Sequence, residues 1–286
     1  MQRIDLHTHT TASDGTDTPG ELVRKAVAAD LAAIAVTDHD TVSGLREAED
    51  AGHGLGITII RGCEISSGTE YGEVHILGLW LPRDIFSLER CLAYLRSKRE
   101  QRNETILAKL RRLGIMISMD ELRAKAAGEA VGRPHIAALL AEKEYVPDVK
   151  TAFSEYLGRH GKAYAPRKLL APKTVVGLLS ALGATVILAH PLLHHYPQRW
   201  LADLLKELAE FGLCGIEAWH SDHSVRDTQI CLDWAAQLCL APSGGSDYHG
   251  MVKPEIGLGT GYGNLCIPLE ILENIKKQRK AQGLWI

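Results

Sequence analysis

The stretch Ile4-Asp5-Leu6-His7-Thr8-His9 runs a short apolar-rich start directly into two histidines spaced two apart. On an extended segment the side chains alternate with period 2, so His7 and His9 project to the same side. A pair of imidazoles at a strand end is half of a metal site, and nitrogen donors suit Zn, Mn or Fe. By itself a His-x-His is a weak signal. Its weight depends on whether the rest of the chain brings partners to the same place.

Working outward from it, seven apolar segments read as buried parallel strands: residues 2–6, 33–37, 57–61, 74–79, 184–189, 214–218 and 240–244. Helical patterns lie between most of them. The first is announced by Thr18-Pro19-Gly20-Glu21, which offers a capping Thr, Pro at the first helical position and Glu three residues after the cap. Strands alternating with helices imply an α/β fold with a parallel sheet, open or closed into a barrel. Between residues 86 and 168 this alternation breaks into helices alone, with a long pattern from Ser87 to Leu113 and shorter ones from Ser118 and near Pro134. Such an insertion is expected to form a lobe over one end of the sheet. Between Arg90 and Arg112 it carries eight basic and two acidic residues, either a solvated helix face or a surface that attracts an anionic ligand.

The bulk numbers narrow the class. At 286 residues and 45% hydrophobic, the chain can bury a large core, and a net charge of -3 argues against a general nucleic-acid coat protein. Cys63, Cys91, Cys214, Cys231, Cys239 and Cys266 are scattered with no Cys-x-x-Cys pair, as expected of reduced cysteines. There is no basic-then-apolar start and no uninterrupted apolar run approaching ~20 residues. These features lead to the expectation of a soluble, cytoplasmic protein without membrane partners.

Each expected strand leads into a residue of metal-binding or acid–base type. Strand one ends at His7 and His9, with Asp14 close behind; strand two ends at Asp38-His39-Asp40, and strand three at Glu64. Strand five ends at His190-Pro191, strand six contains Glu217, and strand seven leads to Asp247 and His249. His75 is the exception, because it opens its strand. Singly, these residues have ordinary explanations: Asp14-Gly15 is a turn, and Asp40-Thr41 can cap a helix. Jointly they obey the rule that parallel α/β folds gather ligands at the carboxyl ends of strands. Six histidines and three carboxylates are too many for one ion, which suggests two or three ions with a bridging carboxylate such as Glu64. Imidazole and carboxylate donors without thiolate leave Mn, Fe and Zn open.

Assembled, the motifs resemble those of the polymerase-and-histidinol-phosphatase (PHP) phosphoesterase family. The matching pieces are Asp5-Leu6-His7-Thr8-His9, Thr37-Asp38-His39-Asp40, Gly62-Cys63-Glu64, Val74-His75-Ile76, Ala189-His190-Pro191 and Gly245-Ser246-Asp247-Tyr248-His249, in family order. The resemblance implies a distorted seven-stranded (β/α)7 barrel from residues 1–85 and 169–286, with residues 86–168 as the inserted substrate-recognition lobe. It also implies a centre of two or three divalent ions, Mn foremost. One ion would take His7, His9, Glu64 and Asp247; a second would share Glu64 and add His75 and His190; a third would use Asp14, His39 and His249. Where some relatives have histidine, Asp14 supplies a harder oxygen donor that favours Mn.

A closer resemblance is to the branch that removes the 3′-phosphate from nucleoside 3′,5′-bisphosphates, a branch that includes 5′-to-3′ exoribonucleases acting on short RNA. It implies phosphate contacts from Arg133 and His135 in Arg133-Pro134-His135, from Lys162 in Gly161-Lys162, and from His223. Divalent ions would lower the pKa of a shared water toward ~7 and neutralise charge on the phosphoryl oxygens. His223 or His135 would protonate the leaving oxygen. Asp38 and Glu217 would orient ligands or the nucleophile. The expected partner is a small phosphorylated nucleotide or a short RNA 5′ end, not duplex nucleic acid. Alternatives are a phosphatase of histidinol phosphate or another small metabolite, a non-catalytic nucleotide-binding PHP domain, and a metal-dependent amidohydrolase. The last would typically want a carbamylated lysine, and no lysine sits at these strand ends.

Overall fold

The computed structural model describes residues 2–126 and 130–286. Its seven strands are β1 (Arg3–Thr8), β2 (Leu31–Val36), β3 (Thr58–Gly68), β4 (Glu73–Leu79), β5 (Thr185–Leu188), β6 (Gly215–His220) and β7 (Ala241–Gly245), hydrogen-bonded in chain order. The last strand returns to the first. Asp247 donates its backbone N–H to His7 O (3.0 Å), and His9 donates to Tyr248 O (2.9 Å). Gly245 makes this approach possible, because a Cβ there would lie 2.2 Å from His7 Cβ. The sheet thus curls into a nearly closed barrel.

Helices alternate with the parallel strands. Helix α1 (Pro19–Ala28) follows β1 and starts with the expected capping box, Thr18 and Glu21 bonding each other's backbone. Helix α2 (Leu45–Gly52) follows β2. Strand β4 departs from the expectation of an all-parallel sheet: it pairs antiparallel to both β3 and β5. Only the tight turn Thr69–Gly72 separates it from β3, and a parallel return would need a crossover of about a dozen residues. Strand β3 also runs longer than the expected 57–61, because its second half zips onto β4 beyond the end of β2. Glu64 consequently sits within that strand, not at its end. The reversal accounts for His75: the start of an antiparallel strand lies at the same barrel end as the carboxyl ends of its parallel neighbours.

Between β4 and β5 come α3 (Phe86–Arg112), α4 (Met119–Ala126), α5 (Arg133–Glu142), α6 (Val149–Ala152) running into a π turn at Phe153–Leu157, and α7 (Pro172–Ala181). Helix α3 serves two cores. Its first half buries Leu88, Leu92 and Leu95 against the barrel, and its second half buries Ile106, Leu107 and Leu110 with Ile136, Leu140 and Leu157. That single rigid element carries the lobe's basic face to the barrel rim. After β5 follow α8 (Gln198–Glu210), α9 (Val225–Leu238) and α10 (Leu269–Ala281). Helix α10 packs Leu272 and Ile275 with Ile4, Leu6 and Leu77. No helix of the described residues is long and apolar enough to cross a membrane.

Candidate metal centre and adjoining arginine cleft

Glu64 is the hub of the strand-end cluster. Its Oε2 lies 2.8 Å from His39 Nδ1, 3.3 Å from His9 Nε2 and 3.4 Å from His7 Nε2. Its Oε1 lies 2.9 Å from His75 Nδ1 and 3.1 Å from His190 Nε2. Asp247 Oδ1 adds a second focus, 3.2 Å from His9 Nε2 and 3.5 Å from His7 Nε2. Asp14 makes a third, 3.4 Å from His249 Nε2, 3.8 Å from His9 Nδ1 and 3.9 Å from His39 Nε2. The donor atoms gather as His9–Asp14–His39–His249, His7–Glu64–His190, His7–His9–Asp247 and His39–Glu64–His75. All nine residues named from the sequence as ligands therefore meet in one place. The distances put His9 between two groups and bring His39 onto Glu64 as well as Asp14.

The surroundings set the tautomers. Glu217 accepts from His7 Nδ1 (3.1 Å) and from the backbone N–H of His190 (2.8 Å). His249 donates from Nδ1 to the carbonyl of Asp247 (2.8 Å). In both rings Nδ1 acts as the donor, which leaves Nε2 facing the carboxylates as the nitrogen an imidazole would offer a metal. Asp38 lies against the loop that follows β1. Its oxygens accept from Thr10 N–H (2.8 Å), Thr10 Oγ1 (2.7 Å) and Ser13 Oγ (2.6 Å), so it pins the loop that delivers Asp14.

Two observations test whether cations fit. Among the described residues, His7 Nε2, both ring nitrogens of His9, Asp14 Oδ1, His39 Nδ1, Glu64 Oε2 and His75 Nδ1 are buried without a hydrogen-bond partner. Protein interiors seldom tolerate such orphans. The charge balance points the same way. Burial pushes Glu64 up, but His39, His75 and His7 outweigh it and hold the carboxyl well below its usual range. Burial pushes His9 and His75 down, yet the facing carboxylates drive each up to about 9. The cluster demands positive charge at its centre, and its donor set fits divalent ions.

Beside it lies a cleft of opposite character. It is lined by Asp14, His39 and His75 on the barrel side and by Arg99, Arg102, Arg133 and Arg167 on the lobe side. Asp40 Oδ2 holds Arg99 Nη2 at 2.6 Å and Arg167 Nη1 at 3.0 Å. Its own position is fixed through the Ser66 backbone N–H (3.1 Å). Glu73 lies 3.6 Å from Arg102 Nη1 and 4.0 Å from Arg167 Nη2. Four guanidinium groups thus face two carboxylates, and among the described residues the Nε atoms of Arg99, Arg102 and Arg167 are buried without partners. Burial, then repulsion from Arg133, Arg167 and Arg99, holds Arg102 well below its usual range. That crowding marks a place made for an anion.

The structure brings some of the expected phosphate contacts to this cleft and not others. Arg133, at the start of α5, lines it. His135 is buried on the same helix, where its Nδ1 accepts from Gly132 N–H (3.0 Å), so Nε2 carries its proton. Lys162 does not line the cleft; its side chain is 60% exposed, 3.8 Å from Glu155 and over the Tyr156 ring. His223 stands beyond β6, its Nδ1 donating to Ala218 O at 3.0 Å. Sequence reasoning took the run holding Arg99 and Arg102 as a possible anion surface without singling them out, read Asp40 only as a strand-end or capping residue, and missed Arg167, Glu73 and His220. The signal for the first two was present, since Arg99 and Arg102 are three apart on a helix and share a face.

The comparisons agree with this geometry. The PHP domain model matches residues 5–157, and the chain belongs to the PHP family. It is 34% identical over 248 residues to a 5′-3′ exoribonuclease of Haemophilus influenzae, covering 87% of this chain and 90% of that one. It is 32% identical over 250 residues to a 3′,5′-nucleoside bisphosphate phosphatase of Chromobacterium violaceum, covering 87% and 88%. A metal-dependent phosphoesterase structure from Bifidobacterium adolescentis superposes with a TM-score of 0.87 at 28% identity, covering 97% of this chain and 96% of that one. The protein is a metal-dependent phosphoesterase, a phosphoric ester hydrolase on an α/β barrel.

Proposed function

We propose that the protein removes the 3′-phosphate of nucleoside 3′,5′-bisphosphates, using two or three divalent ions, Mn foremost. The nine ligands would be His7, His9, Asp14, His39, Glu64, His75, His190, Asp247 and His249. One observation carries the reading: the buried, mutually repelling arginines share a cleft with the carboxylate–imidazole cluster. A substrate with one phosphate at each end satisfies both. Bound at the cluster, divalent ions supply a nucleophile at neutral pH and neutralise phosphoryl charge. The rest falls to side chains. Asp40 holds Arg99 and Arg167 as a preset fork for the 5′-phosphate, with Arg102 and Arg133 beside it. Holding the substrate at both ends fixes the 3′-phosphorus for in-line attack.

Of the two imidazoles proposed to meet the leaving oxygen, His135 offers an N–H from Nε2. His223 offers a lone pair, because Nδ1 spends its proton on a carbonyl and burial pushes the ring pKa down. Burial lowers the His135 pKa as well, so its neutral ring would serve the leaving oxygen as a hydrogen-bond donor and not as its acid. Exoribonuclease action is the second reading, favoured by the Haemophilus relative. It keeps the 5′-phosphate in the arginine cleft and places a phosphodiester at the ions.

The test is phosphate and nucleotide release with Mn from adenosine 3′,5′-bisphosphate, adenosine 3′-monophosphate and a 5′-phosphorylated dinucleotide. The bisphosphate is expected to exceed the monophosphate in kcat/KM by about 10²-fold, the scale of a buried charge pair. Equal values for the two would overturn the proposal. Faster cleavage of the dinucleotide would transfer it to the exoribonuclease reading.

A further inference from the structure

Strand β6 ends in Glu217-Ala218-Trp219-His220, and the turn Ser221-Asp222-His223 leads to Ser224, which caps α9 in a box with Asp227. The turn folds back on the strand, with His223 N–H donating to His220 O at 3.1 Å. It also puts the backbone N–H of Asp222 onto His220 Nδ1 at 3.1 Å. That N–H occupies the Nδ1 lone pair, so the ring proton is on Nε2. His220 is therefore the reverse of His7 and His249, whose Nδ1 atoms donate and whose Nε2 atoms face the carboxylates.

The His220 ring is 2% exposed and lies 5.2 Å from the His190 ring and 6.4 Å from the His7 ring. Among the described residues, its Nε2 is buried without a hydrogen-bond partner. The nearest carboxylate oxygen across from it, Asp247 Oδ2, is 3.7 Å away, beyond hydrogen-bond reach, and is already taken by Lys253 Nζ at 2.6 Å. An N–H at this position cannot ligate a cation. Left unmade, the bond costs the full desolvation of the N–H, so a ring held this way by the backbone needs an acceptor from outside the protein.

We propose that His220 is a catalytic hydrogen-bond donor, its Nε2–H meeting an oxygen of the phosphoryl group held at the ion cluster. No proton is transferred; the ring keeps it and stabilises charge that grows on that oxygen in the transition state. The phosphate side of the site is then completed by a fixed neutral donor on β6, opposite in type to the ligand imidazoles around it. The inference rests on the phosphoesterase activity and not on which nucleoside is attached.

The experiment compares wild type, His220→Ala and His220→Gln as Mn-loaded full-length protein. It measures Mn per chain, inhibition by inorganic phosphate, and kcat on an aryl phosphomonoester and on adenosine 3′,5′-bisphosphate. His220→Ala is expected to keep its ions, bind inorganic phosphate about 10-fold more weakly and lose about 10²-fold in kcat, the scale for one preorganised donor. His220→Gln, which returns an amide N–H near the Nε2 position, is expected to recover part of both losses. Inorganic phosphate inhibition is read on whichever ester is turned over, so a wrong nucleotide assignment leaves this test intact. Loss of Mn from His220→Ala would make the residue a ligand and overturn the proposal. So would unchanged phosphate inhibition and kcat, or a Gln variant no better than Ala.

Discussion

The two sides of the cleft are electrostatic opposites. On the barrel side, Asp14, Glu64, Glu217 and Asp247 are buried among imidazoles, with Lys253 paired to Asp247. On the lobe side, four arginines crowd Asp40 and Glu73. The first side lacks positive charge and the second lacks negative charge, and neither is remedied by the other across the cleft. Removing charges from water is expensive, so a fold that keeps two unbalanced groups this close gives up stability for binding. On the proposed reading, cations complete one side and a phosphate the other.

The largest effect should come from the barrel side. Glu64→Gln removes the charge at the centre of five imidazoles, and kcat should fall by about 10³-fold or more, since ion catalysis supplies several kcal/mol. Metal analysis of the same protein should show fewer ions per chain. Retention of full metal content and activity would mean that Glu64 is not the hub.

Arg102→Met tests the opposite side. Removing a cation that burial and three neighbours already disfavour should leave the melting temperature unchanged or raise it. KM for the bisphosphate should rise about 30-fold, while a 3′-monophosphate is hardly affected. A drop in melting temperature with unaltered KM would show the arginines to be scaffolding.

Asp40→Asn separates the two kinds of cost. Burial raises the Asp40 pKa, but Arg99 and Arg167 outweigh it and hold the carboxyl well below its ordinary 3.8. Because the folded pKa is depressed, its stabilisation is fully present above the unfolded value and is lost as pH falls through that value toward the folded one. The variant should therefore be about 3–5 kcal/mol less stable than wild type at pH 7, with the gap closing below roughly pH 4. Denaturant titrations at both pH values read this directly. A constant gap would assign Asp40 a packing role only.

Lys162→Ala gives the smallest effect. With its ammonium in solvent beside Glu155, kcat/KM for the bisphosphate should stay within about twofold of wild type. A tenfold loss would return Lys162 to the substrate site.

Much of this was legible in the residues. His7, His9, Asp14, His39, Glu64, His75, His190, Asp247 and His249 could be picked out because strand-end position and donor type coincide repeatedly. The direction of β4 could not, since alternation and apolarity carry no polarity; only the shortness of the Thr69–Gly72 turn decides it. Lys162 came as an anion contact from the resemblance to the bisphosphatase branch, and such a motif does not report exposure, which only the fold shows. Arg167 was invisible for the converse reason, because its partner Asp40 is 127 residues away and nothing beside it in the chain marks it.

By itself, then, the sequence determined the α/β class, the helical insertion and the donor types gathered at the strand ends, which follow from periodicity and side-chain chemistry and are local. Closure into a barrel and the phosphoester chemistry came from the resemblance of the assembled motifs to the PHP family. Tertiary structure decided which imidazoles share Glu64, which nitrogen of His220 carries the proton, and which arginines of the lobe share a cleft with the carboxylate–imidazole cluster. Those depend on distances and on backbone groups from distant segments, and a carboxylate or an N–H acts on whatever lies within a few ångströms, however far apart in the chain.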